Sequence, residues 1–365
     1  MRYPKFIKPG DTLGFAAPSF GCAIEPYKSA FANALKKFKD MGYETLLGPN
    51  VYASDGIGIS STPENCAREL TEMYCGDLGR CSAIFSCGGG ELMCETLEYI
   101  DLDRIKAAEP VWYNGYSDNT NFVFPLVTMC DTAALYAPCA PTFGMEPWHK
   151  NLQDNIELLT GVRHSVRTYG KWEKESLKTE KKPLTPYNCT EKTVLKLWLP
   201  EDGCTRGMSR LYANAVSSYT SAERRASMRG RLLGGCLDSL INLCGTRFDH
   251  VAEFSYKYAD DGIIWFLEAC DLNVISIRRA LWQLEQAGWF ENASGFIIGR
   301  PYHFNEPMMG LDQYSAVLDI LSEHDVPVIM DADIGHLPPM MPLVVGSLAE
   351  VRAEGNVVTV NMELV

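Results

Sequence analysis

The chain predicts an α/β architecture: a mostly parallel sheet covered by helices on both faces, followed by a second, smaller α/β unit. Three observations predict it. Over about the first 145 residues, short apolar runs alternate with segments of helical spacing, the pattern of strands joined by crossover helices. Two of those apolar runs end in glycine-containing turns, at the strand ends where loops of such sheets hold ligands. Beyond Arg229 the alternation resumes, and from Leu343 onward apolar and polar residues alternate one by one, as antiparallel strands do.

Taken in order, residues 12–17 form a short apolar strand that stops at Pro18-Ser19. Phe31, Leu35, Phe38 and Met41 fall three or four apart and make a helical stripe over 29–41, closed by Gly42;. Residues 44–47 return to the sheet. Ser61-Thr62-Pro63-Glu64 reads as a capping box with proline in the first turn, opening a helix toward Tyr74;. A strand at 82–86 runs into Gly88-Gly89-Gly90 and a helix through Leu97. A strand at 111–115 leads to Tyr116-Ser117-Asp118 and an apolar helix over 121–129, with a further short strand at 135–137.

Between about 147 and 201 the chain turns polar, with Trp148, Trp172 and Trp198 set among charges. Lys171-Trp172-Glu173-Lys174-Glu175 reads either as an active-site flap, with Trp172 and Glu173 touching a ligand, or as a surface connection whose tryptophan packs locally. In the last part, strands are expected at 263–267, 295–299 and 327–330, and helices at 277–287 and 314–322. These readings divide the chain into an N-terminal α/β domain (1–146), a connecting segment (147–200) and a C-terminal domain (201–365).

Composition narrows the function classes. With 365 residues, 46% hydrophobic and 22% charged, the chain is long enough for two domains with their own cores. Met1-Arg2-Tyr3-Pro4-Lys5-Phe6 is no apolar leader, and no run of about 18 apolar residues occurs; a cytoplasmic protein, neither secreted nor membrane-spanning, is expected. The 13 cysteines are scattered and odd in number, which fits buried thiols in a reducing compartment better than disulfides. The net charge of −13 and the lack of a basic patch beyond 178–182 argue against nucleic-acid binding.

The sharpest chemical signal is Gly115-Tyr116-Ser117-Asp118 at a strand-to-helix turn. Such a turn lifts a serine hydroxyl out of the sheet and leaves free helix N–H groups beside it. Position 119 is Asn, not the second glycine of common hydrolases. A serine nucleophile needs a base, usually a histidine held by a carboxylate. Of His149, His164, His250, His303, His324 and His336, the last is best placed, just past an apolar strand in a loop running into Pro338-Pro339. Glu268 closes the run Ile263-Ile264-Trp265-Phe266-Leu267 and is one candidate for the carboxylate; Asp331 and Asp333, close to His336 in sequence, are others. Gly88 to Gly90 complete no nucleotide fingerprint, since position 93 is Met and no Lys-Ser/Thr pair follows;. Their amides would suit a reacting carbonyl, and a tight turn explains them equally well.

These pieces together resemble the LD-carboxypeptidases and the related microcin C self-immunity peptidases, a family of serine peptidases. The markers are Gly10-Asp11, Ala17-Pro18-Ser19, Gly89-Gly90, Gly115-Tyr116-Ser117-Asp118-Asn119-Thr120, Gly230-Arg231-Leu232-Leu233-Gly234-Gly235, Gly245-Thr246, Phe266-Leu267-Glu268, Gly299-Arg300-Pro301 and Asp333-Ile334-Gly335-His336. The resemblance implies a flavodoxin-like N-terminal domain and a C-terminal domain with a β-barrel-like sheet. It implies Ser117 as nucleophile, Glu268 as triad acid and His336 as base, with oxyanion donors on the backbone of Asp118 and of Gly89 or Gly90. It further implies a homodimer, no metal or organic cofactor, and as substrate a small cell-wall peptide or a peptidyl or aminoacyl nucleotide. A non-catalytic peptide-binding module on this fold is the rival. Cys236 stands where the family usually has Asn, and Ala269 where Asp often follows the acid.

Overall fold

The computed structural model describes residues 1–203 and 224–364. In the first half, strands β1 (Thr12–Ala16), β2 (Glu44–Leu47), β3 (Ala83–Ser86), β4 (Trp112–Gly115) and β5 (Ala134–Tyr136) alternate with helices α1 (Tyr27–Asp40), α2 (Pro63–Cys75), α3 (Met93–Leu97), α4 (Leu102–Ala107) and α5 (Thr120–Thr128). Helix α6 (Lys150–Leu159) follows. In space the strands stand in the order β2-β1-β3-β4-β5 and all run parallel. The strand order reverses between β1 and β3, so the loops leaving those two strands diverge and open a crevice. The start of α2 lies one residue past Ser61: Thr62 is the cap, its side chain accepting from the Asn65 amide at 3.3 Å, with Pro63 opening the first turn;.

The rest of the chain comprises β6 (Ser165–Arg167), β7 (Lys171–Glu173), β8 (Cys189–Lys192), β9 (Lys196–Trp198), β10 (Arg225–Cys236), α7 (Leu237–Leu243), α8 (Val251–Lys257), β11 (Ile263–Glu268), α9 (Val274–Gln286), β12 (Ala293–Gly299), α10 (Gln313–Leu321), β13 (Val328–Ala332), β14 (Leu343–Val345), β15 (Leu348–Glu354) and β16 (Val357–Glu363). Eight of these strands form a mixed sheet in the order β6-β16-β15-β10-β11-β12-β13-β9. Its centre, β10 to β13, is parallel and its flanks are antiparallel. The fold is thus α/β, with mixed sheets flanked by helices in two domains.

The connecting segment is part of this second sheet, because β6 and β9 form its two edges. Those edges approach one another just beyond the strands, where the Thr193 amide donates to the Gly170 carbonyl at 3.1 Å. Conversely, β14 leaves the second domain and pairs antiparallel with β5, becoming the sixth strand of the first sheet.

Two aromatic clusters set the frame. Phe15, Phe31, Phe38, Phe85 and Phe143 pack between the first sheet and its helices. Phe124 of α5 reaches across to the second domain and stacks on Trp289, centroids 5.1 Å apart, with Trp265 of β11 behind. All three rings are fully buried or nearly so. Each is worth about 1.5–3 kcal/mol or more in removed apolar surface, and together they hold α5 against β11. Among the described residues no helix is long and apolar enough to cross a membrane, and the described cysteines are free thiols.

Candidate active site

Strand β4 ends at Gly115, where an added Cβ would come within 2.9 Å of Asn119. Only glycine lets the chain double back so tightly. Ser117 then takes a φ of +65°, a left-handed conformation that costs a non-glycine residue on the order of 1–3 kcal/mol. The turn is held by Asn119. Its Nδ2 donates to the carbonyls of Tyr116 (3.0 Å) and Gly88 (2.9 Å), while its Oδ1 accepts from Tyr113 Oη (2.6 Å). Asparagine at 119 therefore ties the serine turn to the Gly88–Gly90 loop, a job that a second glycine lacks the atoms to do. Asp118 is buried and knits three elements: its carboxylate accepts from Ser19 Oγ (2.6 Å), the Met93 amide (3.0 Å) and Asn121 Nδ2 (2.9 Å).

Glu268 is the last residue of β11, 1% exposed, and its register partner is Cys236 at the end of β10. His336 arrives from the loop after β13. Gly335, with a φ of +100°, passes so close that a Cβ there would lie 2.5 Å from Glu268 Oε2. Imidazole Nδ1 then sits 2.8 Å from Glu268 Oε2 and Nε2 sits 2.8 Å from Ser117 Oγ. A carboxylate can only accept, so Nδ1 donates, and in the neutral ring Nε2 is left to accept the serine proton.

Two further residues complete the line. Tyr136, at the end of β5, donates its hydroxyl to Glu268 Oε1 at 2.5 Å and accepts from the Ser117 amide at 3.2 Å. The Tyr116 ring lies against the imidazole, centroids 5.1 Å apart.

The electrostatics follow from burial and pairing. Burial alone would lower the His336 pKa, but the Glu268 charge and the hydrogen bonds to Glu268 and Cys270 outweigh it and hold the imidazole well above its ordinary range. Burial pushes the Glu268 carboxyl up, and the imidazole, with hydrogen bonds from His336, Tyr136 and Cys236, pulls it below its usual value. A base that binds its proton tightly, oriented by an ionised acid, is what a serine hydroxyl needs.

Gly89 faces the nucleophile: a Cβ on it would lie 3.1 Å from both Cβ and Oγ of Ser117 and 3.9 Å from the Asp118 amide nitrogen. On Gly90 it would instead strike Ser19 Oγ and the Gly58 carbonyl. Among the described residues no protein acceptor takes the amide protons of Gly89 or Asp118. Ser117, His336 and the Gly88–Gly90 loop line one cavity of about 520 Å³ at the crevice between the β1 and β3 loops.

The other sequence candidates lie elsewhere. Asp333 is engaged by the guanidinium of Arg300, by the Tyr169 amide (2.5 Å) and by Thr193 Oγ1 (3.3 Å). Asp331 accepts from Tyr314 Oη at 2.8 Å, and His303 pairs with Glu306 near the surface at 2.9 Å. Trp172 and Glu173 do not line the cavity. Trp172 is buried against Phe304, with Arg300 over its face, and Glu173 accepts from the Asn188 amide. Cys236, Glu268 and His336 each offer one ligand atom within 4.8 Å of the others, although two of these residues already bond each other.

Sequence reasoning missed Tyr136 and Asn119. Tyr136 sat in plain view at a strand end, but nothing local marks a tyrosine as the partner of an acid 132 positions away. Asn119 carried a signal, being the one departure from the common serine-turn spelling.

Residues 13–137 match the LD-carboxypeptidase N-terminal domain and residues 229–351 the LD-carboxypeptidase C-terminal domain. The chain belongs to the LD-carboxypeptidase family, and it is a serine-type hydrolase of that kind. It is 25% identical over 344 residues to the microcin C7 self-immunity protein MccF of Escherichia coli, an alignment covering 92% of this chain and 89% of MccF. The structure of MccF in complex with glutamyl sulfamoyl guanosine superposes with a TM-score of 0.75 at 21% identity, covering 100% of this chain and 99% of that one. An MccF-like protein from Bacillus anthracis gives a TM-score of 0.75 at 20% identity, with 99% of each chain covered.

Proposed function

We propose that the chain hydrolyses an amide bond in a small peptide-like substrate through an acyl-enzyme on Ser117. The observation that carries this reading is the unbroken line from Ser117 Oγ through His336 to Glu268 at the wall of one cavity. His336 Nε2 takes the serine proton as Oγ attacks the carbonyl, and returns it to the departing amine. Water then attacks the ester, with His336 as base again. Glu268 holds the ring in the Nδ1–H tautomer and offsets its charge, and Tyr136 steadies the acid. The amides of Asp118 and Gly89 stabilise the oxyanion; Gly89 is preferred to Gly90 because its open face is turned to Ser117.

The strand order β2-β1-β3-β4-β5 is the flavodoxin-like order;, and the approach of the two edges of the second sheet supports the barrel-like label. We take residues 1–146 as the unit carrying the nucleophile, 147–200 as its connection and 201–365 as the unit carrying the acid and base. A cytoplasmic location and a homodimer are part of this reading, and molar mass from light scattering checks the dimer.

A second substrate reading is favoured by the relatives. MccF has been solved with glutamyl sulfamoyl guanosine and with aspartyl sulfamoyl adenosine, so an aminoacyl nucleotide conjugate, cleaved at its amide-like link, competes with a muropeptide ending in L-diamino acid–D-alanine. Mass spectrometry of both compounds incubated with the purified protein decides between them. Cleavage of neither, with Ser117 inert to a serine-directed phosphonate while peptide still binds, would instead favour a binding module.

A further inference from the structure

Apart from the imidazole of His336, the charged side chains around Ser117 are acidic. Glu91, Asp118, Asp238 and Asp271 line the cavity, and among the described residues no lysine or arginine does. Two of the four acids are committed to the protein. Asp118 holds its three donors, and Asp238 accepts from the amides of Cys270 (3.0 Å) and Asp271 (2.8 Å).

That second pair of bonds fixes the loop after Glu268 at the cavity wall and presents Asp271 there. Glu91 and Asp271 are exposed, and among the described residues Glu91 makes no side-chain hydrogen bond and no ion pair. Partial burial, then the charges of Asp271, Asp118 and Asp238, raise the proton affinity of Glu91 against the opposing charge of His336. The acids therefore share one field. A concave wall dominated by one sign concentrates ligands of the opposite sign and repels those of its own.

We propose, building on the hydrolase reading above, that Glu91 and Asp271 make this active site select substrates bearing a protonated side-chain amine next to the scissile amide and reject those bearing a carboxylate there. That chemistry is shared by a muropeptide whose penultimate residue is an L-diamino acid and by a lysyl nucleotide conjugate. The cavity, the nucleophile and the charge are common to both; only the leaving group differs. Selectivity of this kind is a difference between two affinities, with repulsion of the wrong charge contributing as much as attraction of the right one. It weakens with added salt, since both acids are open to solvent.

The test uses lysyl, glutaminyl and glutamyl sulfamoyl adenosine, which differ only in the side chain, beside a diamino acid–D-alanine muropeptide with its side-chain amine free or acetylated. The protein should favour lysyl over glutamyl by about tenfold or more in kcat/KM, the order expected for two partly solvated charges. Glutaminyl should fall between, and if the muropeptide is the better source, only its free-amine form should be cleaved well. Asp271→Asn with Glu91→Gln should bring the lysyl-to-glutamyl ratio close to one, and Asp271→Lys should reverse it. Equal or better turnover of the glutamyl compound by the parent protein, or a ratio unmoved by the substitutions, would overturn the inference while leaving the hydrolase reading intact. Should no compound be turned over, calorimetry with Ser117→Ala reads the same order as affinities, and lysyl binding no tighter than glutamyl overturns the charge selection by itself. Failure of the hydrolase reading shows separately, as a Ser117 that no phosphonate labels.

Discussion

Two buried carboxylates at the carboxyl end of the second sheet lead different lives. Glu268, closing β11, faces the imidazole of His336 and the hydroxyl of Tyr136. Asp333, just past β13, faces the guanidinium of Arg300, and the two are 0% and 2% exposed. Arginine never gives up its charge, so the Asp333 pair is permanent. Imidazole titrates near neutral pH, so the Glu268 pair is able to move a proton. The lesson concerns distance along the chain. Asp333 is three residues from His336 and Glu268 is 68 away, yet the remote acid is the one in contact.

Substitutions sharpen that contrast, beginning with the group that both His336 and Tyr136 converge upon. Ser117→Ala should cut turnover about 10⁴-fold or more, since only the attacking oxygen is lost. The +65° backbone at Ser117 is no worse for alanine than for serine, so the melting temperature should stay close to that of the parent. Hydrolysis at the parental rate in a clean S117A preparation would break the serine mechanism.

Glu268→Gln should cost about 10³-fold or more in turnover, the order seen when an orienting carboxylate is neutralised. It should also move the pH profile. His336 must be neutral to accept the serine proton, and its pKa is raised, so kcat/KM should climb with pH through a limb above about 6.5, the ordinary imidazole value. Glutamine removes the chief raising influence, and the limb should shift to lower pH. The same linkage governs stability. A raised imidazole stabilises the fold below its unfolded pKa and loses that contribution as pH rises through the folded one. The lowered Glu268 stabilises above its unfolded pKa and loses its share as pH falls through the folded one. A limb that stays in place in Glu268→Gln would mean that another group, such as Cys270 or an acid of the cavity wall, sets it.

Tyr136→Phe removes one hydrogen bond to the acid and one acceptor for the Ser117 amide. A loss of about tenfold in kcat/KM is expected, matching about 1.5 kcal/mol for a hydrogen bond to a charged group. The acid limb should rise slightly rather than fall, because Glu268 keeps its charge and loses a competing donor. Unchanged kinetics together with an unmoved limb would reduce Tyr136 to a packing residue.

Asp333→Asn is the counterpart with the smallest kinetic effect. It should leave kcat/KM within a few-fold and the pH limb in place, while lowering stability by roughly 3 kcal/mol, because Arg300 is left buried without its counter-charge. Thermal unfolding and the pH profile measured on one preparation separate the two effects. A crippled enzyme with an intact melting temperature would exchange the roles assigned to the two acids.

The comparison also explains what was legible before folding. The serine turn was, because a strand, a glycine and a helix start are neighbours in sequence and act over a few residues. Glu268 was visible as a polar end to an apolar run, but so were Asp331 and Asp333, and local reading left them level. The parallel register of β10, β11, β12 and β13 and the passage of Gly335 beside Glu268 separate them. Trp172 illustrates the opposite case. Its charged neighbours left a flap and a locally packed connection both open, and only the fold shows its ring buried against Phe304 beneath Arg300.

By itself, then, the amino-acid sequence determined the alternation of strands and helices, the elbow that bears Ser117 and the small set of residues able to serve it. Periodicity, capping and turn chemistry are near-neighbour effects, and they are written in adjacent residues. Local pattern left the acid open and family resemblance pointed to Glu268; only the tertiary structure shows why that acid meets His336, which glycine opens toward Ser117 and what charge the cavity presents. Those outcomes depend on strand register and on Phe124 stacking against Trp289, which bring together groups more than a hundred residues apart, and no local pattern encodes a contact of that span.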